Sequence, residues 1–442
     1  MAKTPREIVD EGRLSGWQIA ALGMTILLNA LDGFDVMSIS FAAPGIAEEW
    51  QVPQDVLGWV LSMELIGMAV GSILLGGMAD RFGRRPTILG CLTVMGAGML
   101  LVPTATGVAR LSLWRLLTGL GIGGMLAALN ATVAEFSNAR YRSLVLPLMV
   151  TGYPLGAFLG GMMAANVLDA SDWRGVFYLG AGLTIAAIPL TFFLIPETPD
   201  WLVDCRPVNA LQRINATLRR FRLPEAIELP EPSADPRRSS IADILRPPLL
   251  SRTLLLTLAY LTHVTAYYYF VKWIPKLVVD MGFDASAGGG VLTKAMLGGA
   301  IGGGLLGLVA LRIGIKKATV IALTGAFVML NIFGQAPEDI AMLGWIAGVT
   351  AFFSNAAAVG FYALLAMAFP PHVRATGTGF GIGFGRAGAA MGPALAGILF
   401  ARGLDVGAVS LIISIGSAVS IGAILLVRLT AEPRVTTDRH GA

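Results

Sequence analysis

Charge is scarce in this sequence. Only 14% of its 442 residues are Asp, Glu, Lys or Arg, against about 25% in an average soluble domain, so water is not the solvent for most of its surface. Cysteine is scarcer still. Cys91 and Cys205 are the two present, too few for a disulfide framework and a poor basis for a Cys-based metal site. The three histidines, His263, His372 and His440, are scattered along the chain. No Gly-rich loop ending in Gly-Lys-Ser/Thr occurs, which leaves ATP-driven chemistry without support. With no catalytic constellation on view, an enzyme is not expected, nor is a bound metal or cofactor.

Apolar residues are what the chain has in excess. They make up 55% of it, and the mean hydropathy is +0.71. About 20 apolar residues cross a bilayer core as a helix, and twelve such runs are readable, at 17–43, 55–79, 87–105, 110–135, 143–168, 174–195, 251–275, 287–311, 317–335, 340–368, 375–400 and 406–428. Each is too long and too uniformly apolar for a barrel strand. The predicted class is an all-α membrane protein with twelve transmembrane helices. Residues 1–16 are polar and lack the apolar core and small-residue cleavage site of a signal peptide, so the first run is expected to stay in the membrane.

Twenty-four of the 32 Lys and Arg fall in one set of loops and termini, and four, Arg110, Arg174, Lys276 and Arg402, in the opposite set. That bias places both termini and the central segment in the cytoplasm. The net charge of +4 then expresses topology, and no nucleic-acid partner is implied. The polar stretch 196–250 divides the chain into a bundle at 1–195 and a second at 251–430, with a tail at 431–442. An internal repeat supports two related six-helix halves. Gly76-x3-Asp80-Arg81-x-Gly83-x-Arg85 recurs 231 residues later as Gly307-x3-Leu311-Arg312-x-Gly314-x-Lys316. Arg142 ahead of Gly156 and Gly160 recurs 232 residues later as Arg374 ahead of Gly388 and Gly392.

The loop GGMADRFGRRP resembles the cytoplasmic signature of the major facilitator superfamily, and Arg115 followed by Gly119, Gly121 and Gly123 resembles its fourth-helix pattern. More narrowly, LDGFDVMSISFAAPGI in the first run and TGTGFGIGFGRAGAAMGPALAG in the eleventh resemble the aromatic acid:proton symporter family. That resemblance implies the major facilitator fold in a bacterial inner membrane, a benzoate-type acid as substrate and protons as the driving ion. It also implies that the Asp-Gly-Phe-Asp of the first run is functional, and that Asp80 with Arg81, Arg84 and Arg85 latches the cytoplasmic loop. Two positions depart from the pattern: Leu311 stands where the second latch would carry an acid, and Glu64 occupies a position expected to be small or apolar.

Charged groups inside spans cost about 2.5–3.5 kcal/mol each even on the mildest scales, so they face partners or wet cavities. Here they sort by half. Asp32, Asp35, Glu64, Arg115 and Glu135 lie in the first six runs, whereas His263, Lys272, Lys294 and Arg386 lie in the last six, with no carboxylate. Asp32 and Asp35 share one helix face and are, with Glu135, the candidates for proton coupling; the plainer alternative is an ion pair between one of them and Arg115. Arg386 lies twelve residues into its run, about 18 Å along a helix and so near the midplane. Its guanidinium suits a carboxylate, and Arg115, Tyr267, Tyr268 and His263 complete the candidate substrate site. Most of the aromatic residues at 267–273 are expected to form an interfacial belt, and Lys272 either guides anions or snorkels to headgroups. Asp80, Arg81, Arg84, Arg85 and Arg312 are the candidate gating residues.

Together these expectations describe a monomeric, proton-coupled importer of aromatic carboxylates. Two other readings stand beside it. Non-aromatic carboxylates would suit the same charges, and Gly152-x3-Gly156-x3-Gly160-Gly161 partly resembles the signature of proton-driven exporters.

Overall fold

Every apolar run becomes a helix, because a backbone inside lipid must satisfy its own N–H and C=O groups. In the computed structural model, which describes residues 3–75, 77–230, 241–370 and 373–427, we number twelve long helices in chain order. They are α1 Gly16–Trp50, α2 Gln54–Leu74, α3 Arg84–Leu101, α4 Val108–Phe136, α5 Arg142–Ala170, α6 Arg174–Leu194, α7 Leu250–Asp280, α8 Ala285–Ile313, α9 Ile315–Gly334, α10 Ile340–Ala368, α11 Arg374–Ala401 and α12 Val406–Leu426. All are long and apolar enough to cross a membrane. Gly76, His372, His440 and the tail lie outside the described residues.

Boundaries differ from the sequence reading where local signals outweigh hydropathy. Helix α1 runs past Pro44 to Trp50 and stops on Gln51 in the left-handed region, whereas α2 stops at Leu74 and leaves Asp80 on a separate turn, Met78–Phe82. Two segments expected to be plain polar loops hold short helices. Pro5–Glu11 is capped reciprocally by Thr4 and Glu7, the capping-box arrangement, and the central segment contains Pro199–Cys205, Ala210–Arg220 and Ile241–Ile244.

Packing within each half depends on bare backbone. A Cβ at Gly119 of α4 would sit 2.0 Å from the Glu64 carbonyl of α2, and one at Gly71 would sit 2.2 Å from that of Leu120. The second half repeats this between α8 and α10, where Gly298 and Gly302 approach the Gly348 and Phe352 carbonyls at 2.0 and 2.1 Å on the same measure. Such small-residue seams let helices approach without side chains between them. Between halves, α1 packs on α7, α2 on α11 and α5 on α8. Close approaches at Gly58 with Pro393 and at Gly289 with Ala165 close α2–α11 and α5–α8 at the end of the molecule opposite the termini, here called the far end, and the α2–α11 contact continues to Ser72 and Arg386. No comparable seam joins α4 to α10 among the described residues.

Gly119→Ala should therefore force α2 and α4 apart and cut the yield of monodisperse protein several-fold on size exclusion in detergent. Gly304→Ala, where no atom lies within 4 Å of the added Cβ, should leave the yield unchanged.

Candidate functional site

Three charged side chains meet at the centre of the helices, each with 0% of its side chain exposed: Glu64 of α2, Arg115 of α4 and Lys272 of α7. Arg115 pairs with Glu64 and donates to the Asp35 carbonyl at 2.9 Å and to Met99 Sδ at 3.2 Å. Its guanidinium stands 5.4 Å from the centre of the Phe177 ring. Lys272 donates to the Val36 carbonyl, and its Nζ lies 3.7 Å from Glu64. Glu64, for which the sequence suggested no role, is thus the shared counter-ion of one cation from each half. Pairing is what makes such burial tolerable, since breaking a buried ion pair leaves an uncompensated charge.

Asp32 and Asp35 lie on one face of α1, both buried. Neither carboxylate bonds to Arg115, which instead touches the main chain at Asp35. Asp35 Oδ2 accepts from the Thr184 hydroxyl at 3.4 Å, while Oδ1 of each aspartate accepts no hydrogen bond from a described residue. Arg386 is partly exposed, donates to the Ser72 hydroxyl of α2 and is the cation that acts electrostatically on Asp32. Tyr268 is within electrostatic reach of Arg386, beside Tyr153 of α5 and edge-on to Tyr267 at 5.4 Å between ring centres. Tyr260, whose ring lies against Gly385, meets the Tyr362 hydroxyl at 3.2 Å. The structure thus gathers Asp32, Arg386 and these tyrosines into one neighbourhood between the halves.

Other candidates are placed elsewhere. His263 is buried against Phe361 and bonds to the Ser354 carbonyl at 2.9 Å, in the packing between α7 and α10. The expected interfacial belt does not include Trp273 or Tyr269. Trp273 is wholly buried and donates to the Pro393 carbonyl at 3.1 Å, and Tyr269 pairs with the Ser410 hydroxyl at 2.8 Å. Lys272, a candidate for snorkelling, is the buried lysine, and Lys294 is the exposed one.

At the end bearing the termini, Arg84 organises a latch. It bonds to Asp80 at 2.9 Å and to Glu135 at 2.8 Å, and its own N–H donates to Glu197 at 2.9 Å. Gly83, at φ +106°, turns the chain against Glu197, where a side chain would collide. Arg85 stacks on Phe192 at 4.3 Å, while exposed Arg81 stands over Phe82. Glu135 therefore belongs to this latch, distant along α4 from Arg115 and the aspartates. The short helices strap over it: Arg6 bonds to Asp10 at 2.8 Å and to Asp200 at 3.0 Å, and Arg142 bonds to Asp10. In the second half, Gly314 repeats the turn at φ +82°, yet Leu311 is 84% exposed and Arg312 forms no ion pair among the described residues. Lys316 donates instead to the Leu425 and Val427 carbonyls at 3.2 and 2.8 Å, capping the end of α12.

A Major Facilitator Superfamily profile matches residues 25–342. The chain belongs to the major facilitator superfamily. It is a multi-pass membrane transporter and not an enzyme. This major facilitator is similar, at 28% identity over 98% of its length and 97% of the relative's, to the gallate transporter of Pseudomonas putida. It is 28% identical to the 3-(3-hydroxy-phenyl)propionate transporter of Escherichia coli K12 over 86% and 87% of the two chains. The 4-hydroxybenzoate transporter of Acinetobacter baylyi is 25% identical over 97% and 95%. A solved D-xylose-proton symporter superposes with a TM-score of 0.70 at 16% identity, covering 93% of this chain and 97% of that one, which shows the shared two-half fold.

One consequence concerns the strap of this major facilitator. Burial pushes Asp200 up to about 6 against the pull of Arg6, with Glu135 and Asp204 adding to the rise. A carboxyl whose folded value lies above its unfolded value near 4 holds its proton longer when folded, so its ionisation removes stability as pH rises from about 4 to about 6. In detergent, Asp200→Asn should therefore show a smaller fall in melting temperature than the parent between pH 4.5 and pH 7.5.

Proposed function

We propose that the chain imports aromatic carboxylates together with protons across the inner membrane of a bacterium, by alternating access, with both termini in the cytoplasm. The observation that supports this reading is the proximity of Arg386 to Tyr260 and Tyr268 and to the buried Asp32. A planar guanidinium holds a carboxylate through two parallel hydrogen bonds, and the rings of Tyr268 and Tyr260 suit a flat aromatic body. The aromatic acids named for the three relatives, gallate, 3-(3-hydroxy-phenyl)propionate and 4-hydroxybenzoate, combine those two features.

Coupling follows from charge balance. An ionised Asp32 competes with the substrate carboxylate for Arg386; a protonated Asp32 leaves the guanidinium free to take the anion. Proton and anion then bind together and cross together, which is symport. Asp35, one turn further along and bonded to Thr184, accepts the same proton next. Arg115 holds the aspartate-bearing helix in register through its main chain. Asp80, Arg81, Arg84, Arg85 and Glu135 act as the cytoplasmic gate, with Arg312 as the weaker counterpart. Seams closed at the far end correspond to a state shut towards the outside. The glycines at 152, 156 and 160 lie against Ile26, Ala30 and Phe34 of α1, so packing accounts for them and they favour no exporter.

In proteoliposomes, an inward acid gradient should drive uptake of labelled benzoate, 4-hydroxybenzoate, gallate or gentisate, and not of xylose; uptake of none of the acids defeats the reading. Arg386→Ala should lower uptake about tenfold or more, as expected for loss of a charge-assisted hydrogen bond, at unchanged abundance. Asp32→Asn should exchange acid across the membrane yet no longer accumulate it when a pH gradient is imposed, and gradient-driven accumulation at the parent level would remove Asp32 from coupling.

A further inference from the structure

The roles above leave Lys272 and Glu64 without a part in transport, although they form the buried ionic contact between the halves. Lys272 belongs to α7, yet both of its polar partners, the Val36 carbonyl and Glu64, belong to the first half. Glu64 does not need Lys272 for its charge, because Arg115 of its own half stays on it. Lys272 has no such second counter-ion. Around the pair stand Asp32 and Asp35 from α1, Arg115 from α4, Tyr153 from α5 and Tyr268 from α7, so the two aspartates and Glu64 supply all the negative charge there.

The contact of α1 with α7 at Val36 and Lys272 lies past the middle of both helices, towards the far end. Rocking of one half against the other opens that end and draws Lys272 away from both its partners. An ammonium stripped of its counter-ion in a low-dielectric seam is costly, and the anion entering from that side is the substrate. The side chain of Glu64 and the head of an aromatic acid are the same functional group, so they are alternative ligands for one ammonium.

We propose that Lys272 is a second anion-binding residue with two ligands in turn: Glu64 when the far end is closed, and the carboxylate of the incoming substrate when it is open. Glu64 is then a resident competitor that retakes Lys272 on closure and passes the substrate to Arg386. The proposal rests on the aromatic-carboxylate reading.

A disulfide provides a readout of closure that needs no substrate. In a chain carrying Cys91→Ala and Cys205→Ala, the pair Ala165→Cys and Gly289→Cys places two Cβ atoms 3.9 Å apart across the far-end seam, within disulfide range. Lys272→Gln and Glu64→Gln should each lower the oxidative cross-linking yield about threefold, because the closed state loses its tie. Binding of labelled 4-hydroxybenzoate to the purified, unlinked chain should then move in opposite directions. Lys272→Gln should weaken it about tenfold, and Glu64→Gln should tighten it about threefold by removing the competitor. A merely structural pair would shift both variants the same way, and that result, or unchanged cross-linking in both, overturns the proposal. Should Glu64→Gln fail to fold, Glu64→Asp, which shortens the reach by one methylene, should give the same signs at smaller size, and weakened binding there overturns it equally. Failure of the parent chain to bind 4-hydroxybenzoate defeats the substrate reading itself; binding by the parent with like shifts in the variants defeats this proposal alone.

Discussion

The bond between Glu64 and Arg115, with Lys272 of the second half drawn up to it, constrains everything around it. A charge in the middle of a bilayer survives only beside an opposite one, so α2 and α4 cannot separate without exposing two ions to lipid or to each other's absence. Glycines at 67, 71, 119 and 123 let the two backbones close to contact distance, which brings the carboxylate within reach of the guanidinium. Arg115 also donates from its two terminal nitrogens to α1 and α3, through the Asp35 carbonyl and the Met99 sulfur. One ion pair thereby helps to fix the rotation of α1, and with it the position of Asp32 within the field of Arg386.

Duplication gave both halves a common backbone, seen in the paired left-handed glycines at 83 and 314 and in the twin glycine seams of α2 with α4 and α8 with α10. Side chains then diverged. The first half kept carboxylates at its core and at its latch, and the second kept cations in its core. The symport proposed above would match that division, with the anion drawn to the cations and the proton to the carboxylates.

Architecture was legible in the sequence because hydropathy is a property of individual residues, and twelve apolar runs can be counted without knowing what touches what. The shared face of Asp32 and Asp35 was legible for a similar reason, since it is a local spacing; Asp80, Arg81, Arg84 and Arg85 were legible only through the family resemblance. Partners across helices were not. The choice of Glu64 over Asp35 by Arg115 depends on the rotation of α2 against α4, set by the glycine seam, and no local pattern encodes it. A signal was nonetheless present: Glu64 was the one mid-span acid without a role, and Lys272 was a cation without a counter-ion. Setting unmatched acids beside unmatched bases across spans would have joined them. Trp273 misled because its position near a helix end resembles a membrane interface, while its burial depends on α11 crossing over it.

Among the described residues, the ion-paired strap at the latch braces the first half, while the short helix Ile241–Ile244 packs on α11 of the second. Helices Pro5–Glu11 and Pro199–Cys205 are anchored through Arg6, Asp10, Asp200 and Trp201 to the first bundle, whereas the matching corner of the second has an exposed Leu311 and the backbone cap from Lys316. In mechanical terms the two bundles are braced unequally at this corner, so a rocking motion would load the first through side-chain ion pairs and the second through backbone contacts.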